Sequence, residues 1–239
     1  ALTVQPIASS SAGNAVLLRD GSSKLLLDCG VAWSEVLQAV ENESYLISAV
    51  CLTHHHGDHA RGIVGASRSC VTVLTTPPVA ELAGLVGYRY LRPMRPGVIV
   101  DARGWQVQSF DAYHDGAPGA CGFVVDAPGG DRAVYVVDTA MVHERFAGVT
   151  HWLVEANYDS GRLGGLDPSQ RRHIVEGHMS IDNCIALLKA NNLLAAREIW
   201  LLHLSDRHSD EAEFVRRVEA ATGVPTYAAP RRAIGVARR

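Results

Sequence analysis

The largely apolar run Ile47 to Leu52 stops abruptly at Thr53-His54-His55-His56-Gly57-Asp58-His59. A short run rich in Ile, Val and Leu has strand character, and the polar burst after it reads as a loop delivered by that strand. Imidazole and carboxylate are the groups that zinc, manganese or iron take as ligands. The offsets His-x-His-x-Asp-His can divide their ligands between two neighbouring metals. Such a pair activates water and polarises an ester, amide or phosphate. The competing reading is a surface histidine cluster or a purification tag. Against it, the run is internal and follows a buried-looking strand. His55 takes the variable position and is expected to point away from the metals.

The rest of the chain supplies a scaffold of strands and helices. Leu2–Ala8, Ala15–Arg19 and Lys24–Asp28 read as strands, with a loop Ser9 to Asn14 and a hairpin turn at Asp20-Gly21. Apolar Trp33, Val36, Leu37 and Val40 fall on one helical face. Val71–Leu74 reads as a strand and Pro77–Val86 as a helix with prolines in its first turn. The middle reads as short strands at Gly97–Val100, Trp105–Ala112, Cys121–Asp126 and Ala133–Val137, the last two joined through Pro128-Gly129-Gly130. Helices are expected at Pro168–Glu176, Ile181–Asn191 and Ser209–Thr222, with one more strand at Ile199–His203. The pattern is α/β or α+β, and no linker divides the 239 residues, which are read as one domain over 1–239.

Composition excludes more than it assigns. A net charge of −3 does not mark a nucleic-acid or membrane binder by bulk charge, and no apolar run has the length of a membrane span. The five cysteines are scattered and form no Cys-x-x-Cys pair, which favours a reducing, cytoplasmic setting over a disulfide scaffold. Nearly all basic residues are arginine; Lys24 and Lys189 are the only lysines.

Further ligands are expected at strand ends, where loops on one rim of a scaffold gather functional groups. His114 follows the strand Trp105–Ala112, Asp138 follows Ala133–Val137, and His203 ends Ile199–Leu202. Each alone reads as a turn or cap residue. Together they bring the set to the number that two metals need.

With these residues in place, the sequence resembles the metallo-β-lactamase superfamily of metal-dependent hydrolases. His54-His55-His56-Gly57-Asp58-His59 matches that family's signature, and His114, Asp138 and His203 follow in the expected order. The resemblance runs from Leu2 to about Val236 and implies an α/β fold, a four-layer αβ/βα sandwich with its site at one edge of the sheets. It assigns His54, His56 and His114 to one metal, Asp58, His59 and His203 to the second, and Asp138 to both. It implies two divalent ions, zinc first, with manganese or iron also fitting. A bridging hydroxide would be the nucleophile, and Asp58 would help to orient it.

The flanking motifs point to a branch. Ser9-Ser10-Ser11-Ala12-Gly13-Asn14 and Leu27-Asp28-Cys29-Gly30 resemble the opening of nuclease-like and phosphodiesterase-like members. Glu155-Ala156-Asn157-Tyr158-Asp159, Gly177-His178-Met179-Ser180 and Leu202-His203-Leu204-Ser205 resemble segments of the YycJ-type exonucleases. Tyr158 stands where that branch usually has His, and Ser160 to Gln170 departs from its basic stretch.

The reading is a dinuclear metal-dependent phosphodiesterase acting on DNA or RNA. His178 is a second catalytic candidate, able to protonate a leaving oxygen or clamp a phosphate at a helix start. Ser10, Asn14 and Asn157 are candidate substrate contacts, as are Arg89, Arg92 and Arg95 in a basic stretch interleaved with Tyr88 and Tyr90. Arg171, Arg172, His173 and the terminal Arg231, Arg232, Arg238 and Arg239 read as solvated, and His143, His151 and His208 as structural or surface residues. The alternative activity is a small-molecule hydrolase on the same site, acting on a cyclic phosphodiester, a lactone or a glyoxalase-type thioester. The oligomeric state is open, a dimer included.

Overall fold

Strands buried on both faces lose their alternation and become continuous apolar runs. Ala15-Val16-Leu17-Leu18 and Leu25-Leu26-Leu27 are such runs, each side chain almost fully buried. In the computed structural model, which describes residues 1–232, they lie inside a six-stranded sheet. Its strands are β1 (Leu2–Ser10), β2 (Gly13–Asp20), β3 (Ser23–Leu27), β4 (Ile47–Cys51), β5 (Val73–Thr75) and β6 (Leu91–Pro93), in that spatial order. β1, β2 and β3 pair antiparallel, and β3 to β6 run parallel. Arg238 and Arg239 lie outside the described residues.

A second sheet holds β7 (Ile99–Ala102), β8 (Trp105–Asp111), β9 (Cys121–Asp126), β10 (Arg132–Val136), β11 (His151–Glu155), β12 (Glu198–Leu202) and β13 (Thr226–Ala228). β7 to β10 are antiparallel, and β10 to β13 are parallel. The helices are α1 (Trp33–Ala39), α2 (Gly57–Ala60), α3 (Ile63–Arg68), α4 (Pro77–Leu82), α5 (Pro168–Gly177), α6 (Ile181–Lys189) and α7 (Glu211–Thr222).

Three apolar layers define the architecture. Between the sheets, Val16, Leu18, Leu25 and Leu27 meet Trp105, Val107, Phe123 and Tyr135. Outside the first sheet, Leu17, Leu26, Val50 and Leu52 pack with Val36, Ile63 and Val79 of α1, α3 and α4. Outside the second, Val134, Trp152 and Ile199 pack with Cys184, Leu188, Phe214 and Val218 of α6 and α7. This is the four-layer αβ/βα sandwich expected from the resemblance.

Several local expectations change. The Ser9–Asn14 loop shrinks to a turn at Ser11-Ala12, with Ser9 and Ser10 in β1 and Asn14 in β2. β11 is a central strand absent from the sequence reading, although His151 to Glu155 are all buried. β6 lies in a stretch read as loop, and α3 was also missed. Gly62 at the N-cap and Gly65 within α3 weaken its helical pattern, yet Gly65 is required there: a Cβ on it would sit 2.4 Å from Trp33 Cβ of the neighbouring α1.

Candidate metal centre

Parallel strands in both sheets end on one rim, the edge where open α/β sheets carry their ligands. β3 leads to Asp28, β4 feeds His54 to His59, β10 leads to Asp138, β11 ends at Glu155, and β12 leads to His203. His114 arrives from the loop after β8. Asp28 (φ 57°), Asp138 (φ 50°) and His203 (φ 53°) leave their strands in the left-handed region. Such a turn costs an L-residue energy and recurs where function fixes a side chain's aim. The His203 N–H donates to Ser9 Oγ at 2.8 Å, which holds the turn.

The seven candidate ligands fall into two sets. The ligand atoms of His54, His56 and His114 lie within 4.8 Å of one another, as do those of Asp58, His59, Asp138 and His203. Asp138 Oδ2 joins them, 3.4 Å from His54 Nε2 and 2.8 Å from His59 Nε2.

Hydrogen bonds at the far ring nitrogens fix the histidine tautomers. Asp28 is fully buried and accepts from the Thr53 N–H at 2.8 Å, Thr53 Oγ1 at 2.9 Å, His59 Nδ1 at 2.7 Å and Tyr135 Oη at 2.9 Å. With its hydroxyl proton given to Asp28, Thr53 Oγ1 accepts from His54 Nδ1 at 3.0 Å. His114 Nδ1 donates to the Gly177 carbonyl at 3.2 Å. The Nε2 lone pairs of His54, His59 and His114 therefore face inward, the orientation that such hydrogen bonds give metal-binding histidines.

Inward, His114 Nε2 lies 3.2 Å from His56 Nδ1, and His59 Nε2 lies 2.8 Å from the Asp138 carboxylate, a pair that needs a proton or a cation between them. His54 Nε2, His203 Nε2 and Asp138 Oδ1 are buried without an aligned hydrogen bond. Such groups are stable only with protons or cations between them. The nitrogen-rich donor set fits divalent ions.

The electrostatics agree. Burial, together with the neighbouring His59, holds His54 well below the usual histidine range. Burial opposes charge on His59 too, but Asp138 and Asp28 outweigh it and raise its pKa well above that range. For Asp138, burial favours the neutral acid, yet His203 and His59 hold the carboxyl well below its ordinary value.

His178 is the C-cap of α5 and precedes α6, as expected, two residues before Ser180, the N-cap of α6. Its Nδ1 lies 2.8 Å from Glu155 Oε1 and 3.3 Å from Asp138 Oδ1. Burial lowers the His178 pKa, but Glu155 and Asp138 prevail and push it up to about 10. Glu155 also takes His203 Nδ1 at 2.9 Å, so one buried carboxylate orients two imidazoles.

The proposed substrate contacts are placed as follows. Ser10 closes the β1–β2 turn, accepting from the Ala12 N–H at 3.2 Å. Asn14 is buried, its Nδ2 donating to the Ser10 carbonyl at 2.9 Å and lying 3.0 Å from His59 Nε2. Asn157 Nδ2 donates to the His203 carbonyl at 2.8 Å. All three buttress the rim from inside. Arg89 and Arg92 lie on or beside β6, at the edge of the first sheet, and Arg95 lies just beyond that strand. Beside the centre, a cleft of about 390 Å³ is lined by Asp115, Pro168, Ser169, Arg172, His173 and Glu176. His173, read as a surface residue, has its ring 6.2 Å from that of His178.

Asp28, Thr53, Tyr135 and Glu155 were missed as site residues. Asp28 carries the same signal as Asp138, an acid directly after an apolar run. Glu155 figured only as part of a motif, and its orienting role was hidden because its strand was.

The metallo-beta-lactamase superfamily profile matches residues 10–163. The chain belongs to that superfamily. It is similar to exodeoxyribonuclease WalJ of Streptococcus pneumoniae, 25% identical over 223 residues, covering 85% of this chain and 81% of that protein. It is also similar to exodeoxyribonuclease YycJ of Bacillus anthracis, 24% identical over 216 residues, covering 83% and 81%. Among solved structures, the metallo-beta-lactamase fold protein YhfI of Bacillus subtilis superimposes with a TM-score of 0.74 at 17% identity, covering 96% of each chain.

Proposed function

We propose that this chain is a metal-dependent phosphodiesterase acting on nucleic acid, in the manner its two exodeoxyribonuclease relatives are named for. The observation that carries the reading is the shared Asp138 between two inward-facing ligand sets, with the His178–Glu155 pair beside it. His54, His56 and His114 would hold one divalent ion, Asp58, His59 and His203 the other, and Asp138 both. Zinc suits the nitrogen-rich set, and manganese or iron also fit. Bound there, such ions supply Lewis acidity toward a phosphoryl oxygen and acidify water.

The chain's own residues supply the rest. Asp58 is partly exposed, its Oδ2 3.5 Å from His59 Nε2, and orients the attacking water through its free oxygen. His178, its Nδ1 held by Glu155, keeps Nε2 free to donate to the leaving oxygen or to a phosphate. Ligands from both sheets converge over a shared core, which fits a single domain. The free cysteines fit a reducing, cytoplasmic setting.

The test is turnover of bis(p-nitrophenyl) phosphate, a lactone, a thioester and a labelled oligonucleotide by zinc- or manganese-supplemented protein. Phosphodiester and oligonucleotide cleavage are expected, both lost in Asp58→Ala. His178→Ala should slow oligonucleotide cleavage by about 10²- to 10⁴-fold. The same change should spare bis(p-nitrophenyl) phosphate, whose leaving group needs no proton. Turnover of the lactone or thioester alone would overturn the reading in favour of a small-molecule hydrolase.

A further inference from the structure

β6 is an edge strand of the first sheet, β7 an edge strand of the second, and between these edges runs an open groove of about 420 Å³. Thr72, Arg89, Tyr90, Arg92, Pro93 and Val100 line it, and no carboxylate does. Among the described residues, Arg89 and Arg92 form no ion pair. The Arg89 guanidinium lies 5.7 Å from the centre of the Tyr90 ring, and that ring is exposed. A cation, an aromatic face and a second cation thus follow one another along a channel without opposing charge. That composition suits a single nucleic-acid strand, whose phosphates seek arginine and whose bases stack on aromatic rings or guanidinium planes.

The groove runs along β6, with Arg89 and Tyr90 before the strand at the end far from the metal rim and Arg92 and Pro93 toward the near end. β4, β5 and β6 are parallel neighbours, so the end of β6 stands two strand spacings, roughly 10 Å, from the end of β4 that delivers His54. The intervening rim is continuous. The Met94 N–H donates to the Thr75 carbonyl at 2.7 Å, and Thr76 Oγ1 donates to the Gly119 carbonyl, in the loop that carries His114, also at 2.7 Å.

We infer that this groove is a holding site for the part of a single-stranded nucleic acid outside the metal centre, with Arg89 and Arg92 on successive phosphates and Tyr90 under a base. The inference rests on the nucleic-acid reading above. It sets a specificity: a long strand fills both sites, whereas a small phosphodiester uses the centre alone. Arg95 does not line the groove, so it lies outside the assignment.

The test measures binding of a fluorescein-labelled, phosphorothioate-linked oligothymidylate of about twelve residues to the zinc- or manganese-supplemented protein, by anisotropy at several salt concentrations. Bis(p-nitrophenyl) phosphate turnover is measured in parallel. Arg89→Ala with Arg92→Ala should weaken binding about tenfold at low salt. It should also flatten the log–log salt slope by about 1.4, the loss of two phosphate contacts on a single strand. Tyr90→Ala should weaken binding at least about fivefold. Turnover of the small diester should be unchanged in all variants. Equal affinity and equal salt slope in wild type and double variant would overturn the groove assignment while leaving the nuclease reading intact. No oligonucleotide binding by a wild type that turns over the small diester would also overturn it, and would confine the activity to small phosphodiesters. Failure of the proposed function itself would be seen separately, as absence of phosphodiester turnover.

Discussion

One carboxylate sets the geometry of half the metal centre. Four donors converge on Asp28, so an amide in its place puts an N–H₂ where an acceptor is needed. Asp28→Asn is expected to free the tautomers of His59 and, through Thr53, of His54, lowering metal affinity by about 10- to 100-fold. Competition against a chromogenic chelator measures this, and unchanged affinity would sink it. Protons and cations compete for the same atoms. In the metal-free protein burial lowers the His203 pKa, but Asp138 and Glu155 outweigh it and push it up to about 9, from an ordinary value of 6.5. His178 is likewise raised to about 10. Groups raised on folding stabilise the metal-free fold fully below about pH 6.5, and that contribution fades as pH climbs through 9 to 10. Metal affinity runs the other way, because His203 must lose its proton to become a ligand. Chelator competition from pH 6 to 9 should show affinity rising with pH and protons released on binding. A flat profile would contradict the assignment of His203.

At the scale of elements, α3 shows a local compromise. Its end has the bonding of a Schellman turn, Val71 N–H to the Ala66 carbonyl at 3.2 Å and Cys70 N–H to the Ser67 carbonyl at 3.1 Å. The residue in the left-handed position is Cys70, at φ 58°, where glycine is at ease. Cys70→Gly should stabilise the protein by about 0.5–1 kcal/mol, raising Tm by roughly 1–4 °C. An unchanged or lower Tm in calorimetry would refute this. Cys70 is also the exposed cysteine, while Cys29 and Cys184 are buried with thiols pushed up to about 12. Native labelling by a thiol reagent should therefore mark Cys70 alone and be lost in the variant. Another close approach holds the metal loop itself: a Cβ on Gly30 would overlap the Asp58 carbonyl, so β3's exit and the histidine loop pack backbone to backbone.

For the whole molecule, ions that bind the folded centre and not the unfolded chain stabilise the fold by mass action. Chelation should lower Tm and stoichiometric metal restore it, by an amount that grows with ion concentration as linkage requires. A Tm indifferent to chelator would argue that protons alone satisfy the site. The elements built from strong local signals were legible in the sequence: the continuous apolar runs of β2 and β3, the Asp20-Gly21 hairpin, and the strand into His54-x-His56-x-Asp58-His59. The seven candidate ligands could be read because each follows an apolar run. β11, and with it the orienting role of Glu155, could not, because a five-residue run starting at His151 is locally ambiguous and becomes a central strand only when β10 and β12 flank it. The inward turn of Asn14 and Asn157 was not legible either, because sequence does not say which way a polar side chain points. The sequence by itself determined which candidate ligands are present and the strands that carry them, since both are encoded within a few residues. Tertiary structure alone decided that Asp28 and Glu155 orient those ligands and that Arg89, Tyr90 and Arg92 share a groove. Those arrangements depend on distances between residues far apart in the chain, which only the packing of the two sheets fixes.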